Sequence, residues 1–235
     1  MKGLGGQATK PRLPESYVKP KVWKYEASSA ASAMGGMNRP SAAPRFEAAL
    51  PRGKHALQLH SLGTPNGWKV TALLEELGAD YDAYTVNIGA GEQFSTGFTQ
   101  ANPNQKIPVL LDYSQRDPDG GEAPLRVFET GAILLYLAEK FDRLLPRDPA
   151  GRAGCLRWVF WGHGVAPYLG GMFGHFYNYA PIEIQYAIDR ATCELKRIYD
   201  VLDRHLSDGR EWVCGAQLTI ADFQIAPWMA TIPNG

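Results

Sequence analysis

Thr64-Pro65-Asn66-Gly67 separates two patterns of different period. Before it, Leu57 and Leu59 alternate with polar neighbours, which predicts a strand ending near Leu62. After it, Val70, Leu73, Leu74 and Leu77 recur at helical spacing, and Gly78 supplies a C-cap. Tyr84 to Ile88 reads as a second strand and closes a βαβ unit. Further on, Val109-Leu110-Leu111 and Arg126-Val127-Phe128 read as two more strands, joined by a turn-rich stretch from Gln115 to Pro124. A helix from about Glu129 to Lys140 then buries Ile133, Leu134 and Leu137. The order βαβ then ββα implies a four-stranded sheet with helices packed on it.

On either side of this unit the composition changes. Residues 1–54 are rich in Gly, Ala, Ser and Pro, with isolated aromatics at Tyr17, Trp23, Tyr25 and Phe46. Such a stretch cannot bury enough apolar surface to fold alone. Its aromatics favour an arm that wraps onto a core over a solvated tail. After residues 55–142, which carry the sheet, Pro146 to Pro149 form a short linker. Residues 150–235 then read as a helical domain. An aromatic, glycine-broken segment runs from Trp158 to Tyr179, and Pro181 opens a long helix. Its apolar stripe is Ile184, Ile188, Leu195, Ile198, Leu202 and Leu206, which predicts core. In Leu218-Thr219-Ile220-Ala221-Asp222-Phe223, Thr219 caps a last helix, Asp222 answers the capping amide, and Leu218 and Phe223 staple across the turn. The fold class is therefore α/β plus all-α.

The chain has 235 residues, with 24 Lys and Arg balanced by 24 Asp and Glu. That balance leaves no global field to attract nucleic acid or an anionic membrane. Three distant cysteines, Cys155, Cys193 and Cys214, form no Cys-x-x-Cys and leave an odd count, which fits a reducing, cytoplasmic setting. No apolar run follows Lys2, so no secretory signal is expected. No stretch approaches the ~18 apolar residues of a membrane span. No histidine stands in ligand spacing with a cysteine, so no metal is expected. Neither a Walker loop nor a dinucleotide fingerprint is present. In thioredoxin-type folds a Cys-Pro-x-Cys pair stands at this turn, where the chain has Thr64-Pro65-Asn66-Gly67, with a hydroxyl and an amide and no cysteine. A frame kept without its thiol points to a thiol borrowed from a ligand, and glutathione is the natural lender.

The runs Leu62-Gly63-Thr64-Pro65-Asn66-Gly67, Asn102-Pro103-Asn104 before Lys106-Ile107-Pro108, and Phe128-Glu129-Thr130-Gly131 resemble the nu-class glutathione transferases. So does Gly170-Gly171 with Phe173-Gly174-His175-Phe176-Tyr177. The resemblance extends from about Trp23 to Trp228 and implies a thioredoxin-like domain before a helical bundle. It also implies glutathione-dependent disulfide-bond reductase activity, with glutathione as co-substrate and a homodimer. Members of that class continue well past Gly235, so a truncated chain is expected, and they commonly carry Ser where Thr130 stands. Conjugation to electrophiles and reduction of organic peroxides are alternatives within the fold. A non-catalytic binding or regulatory protein is the alternative outside it.

The residues themselves leave two readings at most positions, and the resemblance chooses between them. Glu129 and Thr130 stand where a strand becomes a helix, and amides there either satisfy a capping box or hold an anion. The resemblance implies that they hold the γ-glutamyl carboxylate, with the Glu129 carboxylate meeting the ligand ammonium. Pro108 is expected to be cis, which leaves the Ile107 amide and carbonyl free to pair with the cysteinyl backbone. Lys106 and Gln93, donors on loops flanking the sheet, are either solvated or meet the glycyl carboxylate. Thr64 is a plain N-cap or a hydroxyl donor, and the resemblance implies that Thr64 and Asn66 touch the thiolate, beside Pro65. On the arm, Asn38 is implied to reach the site. Arg190 and the region of His163 are implied to meet a second glutathione, although His163 replaces a Gln and reads equally as a core histidine. Tyr177 and Tyr179 either line the same cleft or pack.

Overall fold

A computed structural model describes residues 21, 22, 24 and 39–231 of the chain. Strand β1 (Leu57–Ser61) is buried along its whole length, so both of its faces are covered. It pairs in parallel with β2 (Tyr81–Thr85), Leu57 opposite Tyr81, and antiparallel with β3 (Val109–Arg116), Leu59 opposite Leu110. Antiparallel pairing of β3 with β4 (Pro124–Phe128) completes the order β2-β1-β3-β4. This is the four-stranded sheet that the order of elements predicts, in the thioredoxin-like form that the resemblance implies.

Several strand boundaries differ from the sequence reading. β2 begins at Tyr81 rather than Tyr84 and ends at Thr85 rather than Ile88. As an edge strand it is only partly covered, and Tyr-Asp-Ala-Tyr-Thr carries little hydrophobic signal. β3 runs past Leu111 to Arg116, where it meets Pro124 across an irregular register, so part of the expected turn is extended hairpin.

Side chains alternate across the sheet and build two cores. On one face Leu57, Leu59 and Leu110 meet Val70, Leu73 and Leu74 of α1 (Pro65–Leu77) and Ile133, Leu134 and Leu137 of α3 (Thr130–Phe141). On the other, Val109 and Leu111 meet Val86 and Phe98. Phe98 belongs to α2 (Thr96–Ala101), a six-residue helix that follows a 3₁₀ turn at Glu92–Phe94. Sequence reading missed both elements because neither is long enough to show a period. The end of the N-terminal arm lies against them. Arg45 N donates to Phe94 O at 2.7 Å, Thr96 N to Phe46 O at 3.0 Å and Gly97 N to Ala48 O at 2.9 Å.

Helix α4 (Pro149–Ala166) starts on Asp148, whose carboxylate accepts from Gly151 N at 2.8 Å. It passes into a wider, π-helical segment, Pro167–Tyr179. The next helix, α5, spans Gln185–Leu206 and does not open at Pro181, because Ile184 is extended (φ −124°) and serves as the N-cap. Its stripe buries Leu195, Ile198 and Leu202, while Leu206 at the end is exposed. The capping box forms as expected at the start of α6 (Ile220–Thr231), where Asp222 accepts from Thr219 N at 2.9 Å. The same carboxylate accepts from Val213 N at 2.8 Å. α6 packs against both α1 and α4 and so joins the helical half to the sheet.

Candidate active site

A cleft of about 290 Å³ opens where the first turn of α1, the loop before β3, the start of α3, and α4 and α6 meet. Asn66, Lys106, Ile107, Glu129, Thr130 and His163 stand in its wall. Thr64 and Pro65, half-buried, precede Asn66 at the mouth of α1 without forming the wall. Gln93 and Arg190 are not brought there. The 3₁₀ turn carries Gln93 inward to 3% exposure, with Nε2 3.4 Å from Ile88 O, where a loop donor was expected. Arg190 is exposed on α5 and pairs with Glu194 at 3.6 Å. Tyr177 and Tyr179 are more than half exposed and outside the wall. Asn38 lies outside the described residues.

Each wall segment has a local cause. Thr64 is the N-cap of α1, and its Oγ1 accepts from Gly67 N at 3.2 Å. That bond uses a lone pair, so the hydroxyl proton remains available to a ligand at the positive end of the helix. Gly67 is required by close approach, since a Cβ there would stand 2.0 Å from Leu62 O. Trp228 Nε1 donates to Asn66 Oδ1 at 2.9 Å, which fixes the amide and leaves its NH₂ as the donor.

The loop before β3 is held by Asn102, which is 1% exposed. Its Nδ2 donates to Lys106 O at 2.7 Å, and its Oδ1 accepts from Asn104 N at 2.9 Å. The Ile107–Pro108 peptide is cis, as expected. No described residue forms a hydrogen bond with the Ile107 N–H or C=O. Asn104 Nδ2 in turn donates to Glu129 Oε1 at 3.1 Å, and His163 Nε2 is 3.4 Å from Glu129 Oε2. The His163 side chain is 41% exposed, so it is a cleft residue and not a core histidine. Glu129 itself has φ +69°, a strained conformation for a side-chain-bearing residue. Such strain persists only where the surroundings impose it, often at ligand sites.

Three wall or supporting residues were missed by sequence reading: Lys69, Gln224 and Trp228. Lys69 exposes none of its surface, and burial lowers its pKa to about 7. With the Gln224 amide in the orientation that satisfies its neighbours, its oxygen accepts from Lys69 Nζ at 3.1 Å and from His163 N at 3.2 Å. Its nitrogen then donates to Thr130 Oγ1 at 3.3 Å. A signal for Lys69 did exist, because it stands four residues before Leu73 and so on the apolar face of α1. Gln224 and Trp228 lie on α6, remote in sequence, and have no local signature.

The cleft can therefore hold an elongated anion between the N-termini of α1 and α3, with Lys106 and Lys69 as cations. Its wall contains no cysteine. Among the described residues no three His, Cys, Asp or Glu side chains gather to hold a metal, and no helix is long and apolar enough to cross a membrane.

Residues 56–139 match the glutathione S-transferase N-terminal domain, and residues 185–230 match the glutathione S-transferase C-terminal domain. Over 226 residues the chain is 51% identical to the disulfide-bond oxidoreductase YghU of Escherichia coli, covering 94% of this chain and 76% of that protein. It is 44% identical over 174 residues to the disulfide-bond oxidoreductase YfcG of the same organism, covering 74% and 79%. Among solved structures, the glutathione transferase YghU from Streptococcus pneumoniae, complexed with glutathione, matches with a TM-score of 0.85 at 49% identity, over 91% of this chain and 81% of that one. A glutathione transferase family member from Pseudomonas fluorescens with two glutathione bound matches with a TM-score of 0.69 at 36% identity, over 85% and 82%. Two domain matches in order, on a fold with this cleft at the junction of sheet and helices, place the chain in the glutathione S-transferase family.

Proposed function

We propose that this protein is a glutathione-dependent disulfide-bond reductase that works with the thiolate of bound glutathione. The observation that carries the proposal is the pairing of Thr64 and Asn66 at the positive end of α1 with a wall that contains no cysteine. A thiol reacts as its thiolate, and a free thiol has a pKa of about 8.5, so the site must favour the anion. The helix terminus, the Thr64 hydroxyl and the Asn66 amide do so together. Glu129 and Thr130 hold the γ-glutamyl end, Ile107 the cysteinyl backbone and Lys106 the glycyl carboxylate.

The bound thiolate attacks one sulfur of a disulfide. A bond forms between glutathione and that sulfur, and the other sulfur leaves as a thiolate and takes a proton. A second glutathione thiolate then attacks the glutathione sulfur of the mixed disulfide. Oxidised glutathione forms, and the second substrate thiol is released. The names of the E. coli relatives support this reading. We further propose a cytoplasmic homodimer. The exposed Phe160 and Tyr186 offer apolar surface to a partner, and sedimentation equilibrium reads the mass directly.

The test is reduction of 2-hydroxyethyl disulfide by glutathione, followed by NADPH consumption through added glutathione reductase. Turnover well above the uncatalysed rate is expected. Stoichiometric glutathione binding without turnover would establish the non-catalytic reading instead.

A further inference from the structure

Lys69 stands in the floor of the cleft with none of its surface exposed, and no carboxylate among the described residues pairs with it. A lysine is almost never fully buried unless it is paired, so this amine lacks a counter-charge in the ligand-free protein. Its hydrogen bond runs to Gln224 Oε1 at 3.1 Å, and Gln224 continues to Thr130 Oγ1 at 3.3 Å.

Resting on the glutathione reading, we propose that Lys69 is a ligand-coupled positioning residue. When a carboxylate settles at Thr130, Lys69 takes up a proton, and the charged amine pins Gln224 and through it the Thr130 hydroxyl. The ligand supplies the missing negative charge. The inference rests on the buried amine, its place in the cleft floor and the two-step hydrogen-bond path. Burial lowers its pKa to about 7, so the amine is ready to change charge near neutral pH.

Neighbouring titratable groups are occupied otherwise. In the cleft, Glu129 and His163 face each other at 3.4 Å, and Lys106 is exposed on the rim. On α6, Asp222 accepts from the Val213 and Thr219 amides. On α3, Lys140 pairs with Asp112 and Glu139 with Arg152. On α1 itself, Glu75 accepts from Tyr81 and Glu76 pairs with Arg143. On β1, burial holds the His60 pKa at about 4, so that ring is neutral.

The experiment is calorimetric titration with S-methylglutathione in phosphate and in Tris, both at pH 7.5. The capped thiol cannot ionise, so the buffer dependence of the enthalpy counts protons taken up elsewhere. A group titrating at about 7 is roughly one-quarter protonated at pH 7.5, so binding takes up about three-quarters of a proton. Lys69→Met, which keeps the length of the side chain, abolishes that uptake and weakens binding about tenfold. Tight binding to the wild type with no uptake would overturn the proposal and leave the glutathione site standing. Uptake that survives Lys69→Met and vanishes in His163→Gln would also overturn it. No binding at all to the wild type would remove both readings together.

Discussion

Trp228 and Asn66 lie 162 positions apart in sequence and meet through one hydrogen bond of 2.9 Å, indole N–H to amide oxygen. That bond joins α6 of the helical half to the first turn of α1. It makes a residue of one domain responsible for the orientation of a donor in the other. Trp228→Phe keeps an aromatic ring but removes the N–H, and the Asn66 amide is then free to turn. We expect kcat/KM for disulfide reduction to fall about tenfold, equivalent to ~1.4 kcal/mol, with the melting temperature nearly unchanged. Equal activity in the two proteins would separate Trp228 from the chemistry.

Gly170 is the reason Trp228 can take that position. A Cβ at residue 170 would stand 2.2 Å from Trp228 Cη2, in the rigid ring and not at the end of a flexible chain. Gly170→Ala therefore displaces the indole, and near-ultraviolet circular dichroism and glutathione affinity should change together. Gly154→Ala on α4 is the control, because nothing lies within 4 Å of its Cβ position. There a helical Gly→Ala exchange gains about 0.5–1 kcal/mol. A melting temperature for Gly170→Ala that rises like that of Gly154→Ala would refute the steric argument.

The contrast between Gly170 and Thr64 shows what a sequence conveys. Thr64, Gly78 and the Thr219–Asp222 pair act on groups within four residues, so their roles are legible from spacing alone. The succession of strands and helices along the chain follows from their periods in the same way. The burial of Gln93 is not legible, because the 3₁₀ turn that carries it inward has only three residues and no period to detect. The Lys69–Gln224–Thr130 path and the Trp228–Asn66 bond come from packing α6 on α1, and nothing local in either segment encodes it. Lys69 lies between these cases: its position on an apolar face was visible, but its partner was not.

Asp222 ties the start of α6 to the loop that precedes it. Its two oxygens accept from Val213 N and Thr219 N, and the side chain is almost wholly buried. Asp222→Ala leaves two backbone donors without partners in a buried region, each worth ~1–3 kcal/mol. A loss of about 3 kcal/mol in unfolding free energy by urea titration is expected. Because α6 carries Gln224 and Trp228, glutathione affinity should fall as well.

Burial of Lys69 also makes a statement about the ligand-free protein. Its amine titrates at about 7 when folded and near 10.4 when unfolded. Between those values the unfolded chain holds more protons, so the contribution of Lys69 to stability rises with pH. The cost is fully present below pH 7 and fades as pH climbs toward 10.4. Lys69→Met removes it, so the variant should melt above the wild type at pH 6.5, with the gap narrowing by pH 9. Scanning calorimetry at several pH values measures that gap directly. A gap independent of pH would mean that the amine is not the group that titrates.

Thr64 performs two tasks that substitution can separate. As an N-cap it accepts from Gly67 N, and any short side-chain oxygen does the same. In the proposed reaction it also offers a hydroxyl proton to the ligand thiolate, which a carboxylate cannot do and would repel. Thr64→Ala loses both, so a drop of about 1 kcal/mol in stability accompanies a large loss of turnover. Thr64→Ser keeps both and should retain most activity. Thr64→Asp is the deciding variant: its cap preserves stability, and the negative charge raises the glutathione thiol pKa, so the rate falls by at least tenfold at neutral pH. Titrating the bound thiol by its thiolate absorbance near the ultraviolet edge should show that rise. A Thr64→Asp protein as active as the wild type would reduce Thr64 to a cap and move the search for the thiolate donor to Asn66.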